Sequence, residues 1–302
     1  MKKCYFLLML VLGFCSCKKE KNREALAPAQ VDVYVAGVMS VNNSTVPGYW
    51  KNGKRVLLDS AAYVGGYGTA VANSIAISGN DVYVAGYYTT GVTQTQFGIY
   101  WKNGMPVYLA DGSTGTEAAN SIAVSGTDVY VAGYEEMGYL HWVAKYWKNG
   151  NPVNLTDGTK YTEVTSIAVS GTDVYVAGYE EDYNGLKVTK YWKNGNLVNL
   201  TGSTGAEVAN AIAVSGTDVY VAGEEFNGSV GVAKYWKNGN PVNLTDGSKG
   251  AEATSIAVSG NDVYVAGSEA NVAGNYVAKY WKNGSPVILG EGDAHSIFLV
   301  QK

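Results

Sequence analysis

The chain has 302 residues, among them 38 Gly, 24 Tyr and 7 Trp, with a formal net charge of −4 and charged residues at only 16%. That length admits one large all-β domain or two ordinary ones, and Gly-marked turns between β-branched and aromatic runs favour β structure. The acidic balance excludes the basic footprint that nucleic acid requires, and two arginines, Arg23 and Arg55, are too few for Arg-based clamping of phosphate or carboxylate.

Met1-Lys2-Lys3 gives a basic start, and Tyr5 to Phe14 is an apolar run too short to span a bilayer but suited to a signal-peptide core. All three cysteines, Cys4, Cys15 and Cys17, fall in the first 17 residues. The rest of the chain therefore has no disulfide, thiolate nucleophile or Cys-based metal site. The stretch Phe14-Cys15-Ser16-Cys17-Lys18 resembles a bacterial lipoprotein signal, in which cleavage follows a small residue and the next Cys receives the lipid. Phe14 departs from the Leu usual in that motif, and an ordinary cleaved signal is the alternative. The resemblance implies a signal peptide over 1–16 and lipidation at Cys17. It also implies an outer-membrane destination, because Lys18 rather than Asp follows the cysteine. Residues 17–30 then form a polar tether, and the anchor holds the chain to a membrane without spanning it.

From residue 31 onward one sentence repeats. Its clearest form, 121–158, reads SIAVSGTDVYVAG, a variable stretch, then VAKYWKNGNPVNLTDG. The Asp of DVYVAG recurs at Asp32, Asp81, Asp128, Asp173, Asp218 and Asp262, and the Trp of YWKNG at Trp50, Trp101, Trp147, Trp192, Trp236 and Trp281. Spacings of 44 to 51 residues are those of propeller blades or a solenoid. Each unit divides into four short strands, with Asn-Gly as the hairpin signal between the third and fourth. Strands two and three are apolar on both faces, as expected of a sheet buried between two others, so the six Trp are expected to fill the gaps between sheets.

The count sets the closure. The chain starts at a second strand and ends at a first strand, Ser296 to Val300, giving six of each. The expected fold is all-β: a six-bladed β-propeller over 31–302 of four-stranded antiparallel blades, closed by pairing 296–300 with the N-terminal blade, 31–58. In strand order this resembles kelch-type propellers, although a single Gly ends strand two and the Trp precedes the turn. The YWKNG/DVYVAG pairing resembles a family of bacterial envelope lipoproteins with tandem propeller repeats. Neither resemblance carries a catalytic residue across.

Alternate connections of such a blade emerge on opposite faces. The tight turns share one, with Lys51, Lys102, Lys148, Lys193, Lys237 and Lys282. The variable loops share the other, where binding is expected. After strand two come Tyr134, Glu135, Glu136, then Tyr179, Glu180, Glu181, then Glu224, Glu225, and Glu269. Connections between blades add Glu117, Glu163, Glu207, Glu252 and Asp293, placed near a channel mouth if the first strand is innermost. Beside them stand Asn73, Asn120, Thr165, Asn210, Thr254 and His295, a candidate polar ring. These groups either bind a sugar or cation through oxygen ligands or satisfy local backbone groups.

Only His141 and His295 occur, far apart in sequence and each without a paired ligand motif, so no zinc site, cofactor or Ser-His-Asp triad is expected. The expected function is non-catalytic: a lipid-anchored envelope scaffold binding a protein or glycan through its variable face. The alternative is a carboxylate-dependent carbohydrate-active enzyme at the channel mouth.

Overall fold

The computed structural model describes residues 32, 34–41, 44–58, 69–90, 95–109, 116–138, 142–182, 184–200, 206–297 and 299. The signal peptide, Cys17 and tether expected over 1–30 lie outside them. From Asp32 on, the chain is one compact unit of antiparallel sheets in sequence order. Blade 1 has three strands, Tyr34–Val41, Ser44–Lys51 and Lys54–Leu57. Blades 2 to 6 have four each, within Thr69–Tyr108, Thr116–Asn154, Tyr161–Asn199, Glu207–Asn243 and Ala251–Glu291. The six-bladed, all-β expectation holds.

The first strands touch one another from blade to blade and so are innermost. Each is kinked by a bulge, between Ala72 and Ser74, Ala119 and Ser121, Val164 and Ser166, Ala209 and Ala211, and Ala253 and Ser255. The kink explains the Gly of DVYVAG. A Cβ on Gly133 would lie 1.9 Å from the Ala118 carbonyl oxygen, so only glycine lets the bulged strand approach.

Consecutive blades bury complementary faces. Tyr83, Ala85, Tyr100 and Leu109 of blade 2 pack on Ile122, Val129, Val131 and Trp147 of blade 3, and the same set recurs at the other consecutive junctions. Five of the repeated Trp are at most 1% exposed. As expected, they are the wedges between sheets.

The C-terminal segment takes the seat of a first strand. The Ile297 amide donates to Ser255 Oγ at 3.2 Å, just as Ile122, Ile167 and Ile212 donate to Ser74, Ser121 and Ser166. Thr254 Oγ1 donates to the Ala294 carbonyl at 2.5 Å, the place that Ala119, Val164 and Ala253 hold in other blades. The ladder expected between 296–300 and blade 1 is not among those of the described residues, and Phe298 and Val300 lie outside them. Val35 (51% exposed) and Leu289 (60%) at that junction are more open than their buried equivalents Val84 and Leu109.

Candidate functional site

On the face of tight turns, every repeat builds one clasp. In blade 3 the Asn149 side chain donates to Asp128 at 2.8 Å, accepts the Val129 amide at 2.8 Å, and holds φ at +51°. Lys148 pairs with the same aspartate at 2.9 Å and lies 5.3 Å from the Tyr130 ring centroid. The repeated lysines on Asp32, Asp81, Asp173, Asp218 and Asp262 do likewise at 2.7–3.1 Å. The repeated Asp and Lys are thus one device that locks the hairpin turn to the second strand.

On the opposite face the acidic residues divide into layers. Glu135, Glu180, Glu225 and Glu269, expected as a loop-borne acidic surface, turn inward onto Lys145, Lys190, Lys234 and Lys279. The reason is the pleat: they share a face with Val131 and its equivalents, which points at the preceding blade. Blade 2 has Tyr88 and Ile99 at these positions, and blade 1 has Met39 and Gly48, whose missing Cβ makes room for the Met39 side chain. Charged and apolar versions therefore replace each other as pairs. That covariation was visible in the sequence.

Glu117 and Glu207 join the same layer, 1% and 0% exposed, directly opposite Glu135 and Glu225 in the ladder. They lie inside the sheets and not at an open mouth. Glu163 and Glu252 stand one residue further along and face the other way. Glu163 accepts hydrogen bonds from Tyr179 and, at 3.3 Å, from Tyr161; Glu252 accepts one from Ser268 Oγ at 3.2 Å. Glu136 and Glu181 are half-buried at the strand ends.

The polar ring is a set of stitches. Asn73, Asn120, Thr165, Asn210 and Thr254 are the bulged residues. Asn73, Asn120 and Asn210 donate across to the next blade at 2.9, 2.7 and 3.0 Å. Thr165 and Thr254 donate to the second strand of their own blade, both at 3.2 Å. Backbone satisfaction thus accounts for these five, while His295 and Asp293 are exposed. Among the described residues no group of three or more His, Asp or Glu is placed to hold a metal ion.

Among the described residues, one opening on the variable face is a cavity of about 370 Å³ spanning blades 4 to 6. Glu224 and Glu252 line it with Lys187, Phe226, Gly231 and Tyr276. Burial, and next the Glu252 charge, push the Glu224 carboxyl up to about 7. Lys187 is tied to Tyr179, 3.2 Å from its hydroxyl and 4.4 Å from its ring centroid. The loops around the cavity are fixed by side chains that accept their own backbone amides: Asp182 from Asn184 and Leu186, Asn227 from Ser229 and Val230, Asn271 from Ala273 and Asn275. Glu224, which follows a second strand, and Glu252, from a connection between blades, are brought together here. Gly231 and Tyr276 were missed because neither belongs to a repeated motif.

The same rungs are filled elsewhere. Between blades 3 and 4, Tyr134 packs on Trp142 with ring centroids 4.2 Å apart, and Trp142 on Tyr161 at 5.1 Å. Burial raises both phenols to about 12.

No protein-family model and no curated protein matches the chain. Solved structures do. TolB from Acinetobacter baumannii is similar with a TM-score of 0.51 at 11% identity, over 86% of this chain and 64% of that one, so the chain spans just under two thirds of its length. YjhT is similar over 85% of this chain and 97% of that chain, at 12% identity and a TM-score of 0.42. The GH43_1 enzyme from Xanthomonas citri complexed with xylose is similar at 9% identity and 0.33, over 61% and 75%. These neighbours are β-propeller proteins, and identities this low speak to the fold alone.

Proposed function

We propose that the protein is a non-catalytic binding scaffold, held in the bacterial envelope by a lipid on Cys17 and engaging a protein or glycan through its variable face. The observation that carries this reading is the cavity between blades 4 and 6. Most of the repeated carboxylates are committed to internal pairs and most of the bulge residues to stitches, whereas Glu224 and Glu252 line open space framed by rigid loops. A preformed, mixed polar and aromatic concavity on a rigid fold is what small-ligand and side-chain recognition uses. The anchor, and with it the outer membrane, rests on the resemblance of residues 14–18 to a lipoprotein signal. The kelch-like lipoprotein resemblance supports the same setting.

The test is purification of the chain from native membranes with its bound partner, beside a Cys17→Ser form. The scaffold reading expects a lipid-modified Cys17 and a retained partner. An unmodified cysteine removes the anchor from the account.

A second reading has a specific observation in its favour. A carboxyl raised to about 7 beside another carboxyl is suited to general acid catalysis of glycoside cleavage. Turnover of a polysaccharide that disappears in Glu224→Gln would establish the enzyme; absence of turnover across a wide panel would remove it.

A further inference from the structure

The cavity is a deletion within the repeat. At the junction of blades 3 and 4 the positions Tyr134, Trp142 and Tyr161 form a continuous stack of rings. Two repeats on, at the junction of blades 5 and 6, the same three positions are Glu224, Gly231 and Gly250. Three aromatic side chains have been replaced by two glycines and one acid, and the space they would fill is the cavity. The carboxylate beneath is kept. Glu163 under the ring stack corresponds to Glu252 under the opening, but Glu163 receives two phenol hydroxyls where Glu252 receives one serine.

The filled junction shows what chemistry the open one accepts: a ring packed against its neighbours that presents a hydroxyl to the carboxylate beneath, as Tyr161 does to Glu163. We infer that the cavity is a saccharide subsite, taking one pyranose ring of a neutral glycan between Tyr276 and Phe226, with its hydroxyls donated to Glu252 and Glu224. This deepens the scaffold reading and rests on it. The alternative occupant is a tyrosine side chain from a partner protein. A phenol has one hydroxyl, and with Ser268 serving one oxygen of Glu252 it would leave two of the four carboxyl oxygens of Glu224 and Glu252 to be buried without a donor. A pyranose carries several hydroxyls around one ring, enough for both carboxyls, and its C–H face packs against an aromatic ring. Tyr276 and Phe226, 47% and 48% exposed, offer such rings at the rim. The Lys187 ammonium on the far wall supplies a donor for a ring or hydroxyl oxygen. The volume of about 370 Å³ lies at the small end of ligand pockets, in keeping with one sugar residue held and the rest of the glycan outside.

The test is titration of the full-length chain with neutral oligosaccharides of glucose, xylose, mannose and galactose, followed by calorimetry. Two variants go with it. Gly250→Tyr restores the phenol of the filled junction, and the site has room, since a Cβ there meets nothing nearer than the Tyr276 hydroxyl at 3.6 Å. Glu252→Gln keeps the shape and removes the charge. At least one sugar should bind saturably, and each variant should weaken it roughly tenfold or more without lowering the melting temperature. Sugar binding that both variants leave intact overturns the subsite, while the glycan scaffold stands. No binding to any sugar overturns it too; a protein retained from native membranes would then leave the scaffold reading standing, and a tyrosine-bearing peptide that binds in a Gly250-sensitive way would name the other occupant. Neither sugar nor protein bound would remove both.

Discussion

The ammonium of Lys145 donates to the Glu135 carboxylate with the two side chains 3% and 4% exposed, and in the preceding blade the same two positions are Ile99 and Tyr88. A buried ion pair and an apolar pair are thus interchangeable solutions for one layer of the sheet. The full layer in blade 3 is Glu117, Glu135 and Lys145, against Ala70, Tyr88 and Ile99 in blade 2. Interchangeability has an energetic reading. Burying charges costs desolvation that their attraction roughly offsets, so an apolar set of similar volume does as well, whereas removing one charge strands the others.

Lys145→Met should therefore destabilise the protein by about 3–5 kcal/mol, because the buried Glu135 carboxylate loses its cation while a second buried carboxyl, Glu117, stands opposite it in the ladder. Replacing the whole layer, Glu117→Ala with Glu135→Tyr and Lys145→Ile, should recover most of that loss. Denaturant unfolding of the single and triple variants reads both. A harmless single substitution, or a triple variant worse than the single, would contradict the interchange.

The turn-face clasps predict the acid and alkaline limits of stability. Their aspartates are held below the ordinary value of 3.8, by Asn52 and Asn103 foremost for Asp32 and Asp81, and by the paired lysines foremost for the other four. A depressed folded pKa contributes stability above the unfolded value and loses it as pH falls through the folded one. The clasp lysines are raised, Lys282 to about 12 from 10.5, and lose their contribution as pH rises past 10.5 towards that value. The clasps by themselves hold the melting temperature level between these limits and lower it on both sides. Six copies acting together should make the acid limb steep.

Glu224 adds a slope between those limits, of the opposite sense to the clasp aspartates. Its folded pKa is about 7 against 4.5 unfolded, so the folded state binds the proton more tightly and stability declines as pH rises from 4.5 to 7. The decline should amount to roughly 2–3 kcal/mol. Glu224→Gln should abolish it, leaving the curve flat over that interval; a curve unaltered by the substitution would place the titration elsewhere.

Each serine that caps an Ile amide of the next blade is a stitch, and blade 5 has Ala211 in its place. Ala211→Ser should supply the missing bond to the Ile256 amide and stabilise by about 1 kcal/mol. At the turns, Asn149→Ala should destabilise more than Asn149→Gly. Both lose the clasp, but only alanine must also hold a φ of +51°. Thermal melts of the three variants give the order directly.

How much of this was legible follows from what repeats. DVYVAG, YWKNG and their spacing fixed the blade count, the strand order and the inward Trp, since each rests on local periodicity and turn chemistry. The site was legible only in part. Glu135, Glu180, Glu225 and Glu269 read as a loop because they follow the motif Gly, yet the second strand runs on past it, Asp128 to Glu136 in blade 3, and its pleat turns them inward. Asn120 and its equivalents read as a ring because a bulge has no signature beyond the Gly opposite it. The pairing of Glu224 with Glu252 depends on contact between adjacent blades. Repeat-by-repeat comparison does reveal the loss of rings at Gly231 and Gly250, but only once Tyr134, Trp142 and Tyr161 are known to touch.

The central claim is that the variable face, at blades 4 to 6, is where a partner is held. A photo-activated cross-linking residue placed at Phe226, on that face, and separately at Thr127, in a tight turn on the other, compares them in one experiment on the membrane-bound protein. The account predicts a defined cross-linked species, to protein or glycan, from position 226 and none from 127. Cross-linking from 127 alone would contradict it.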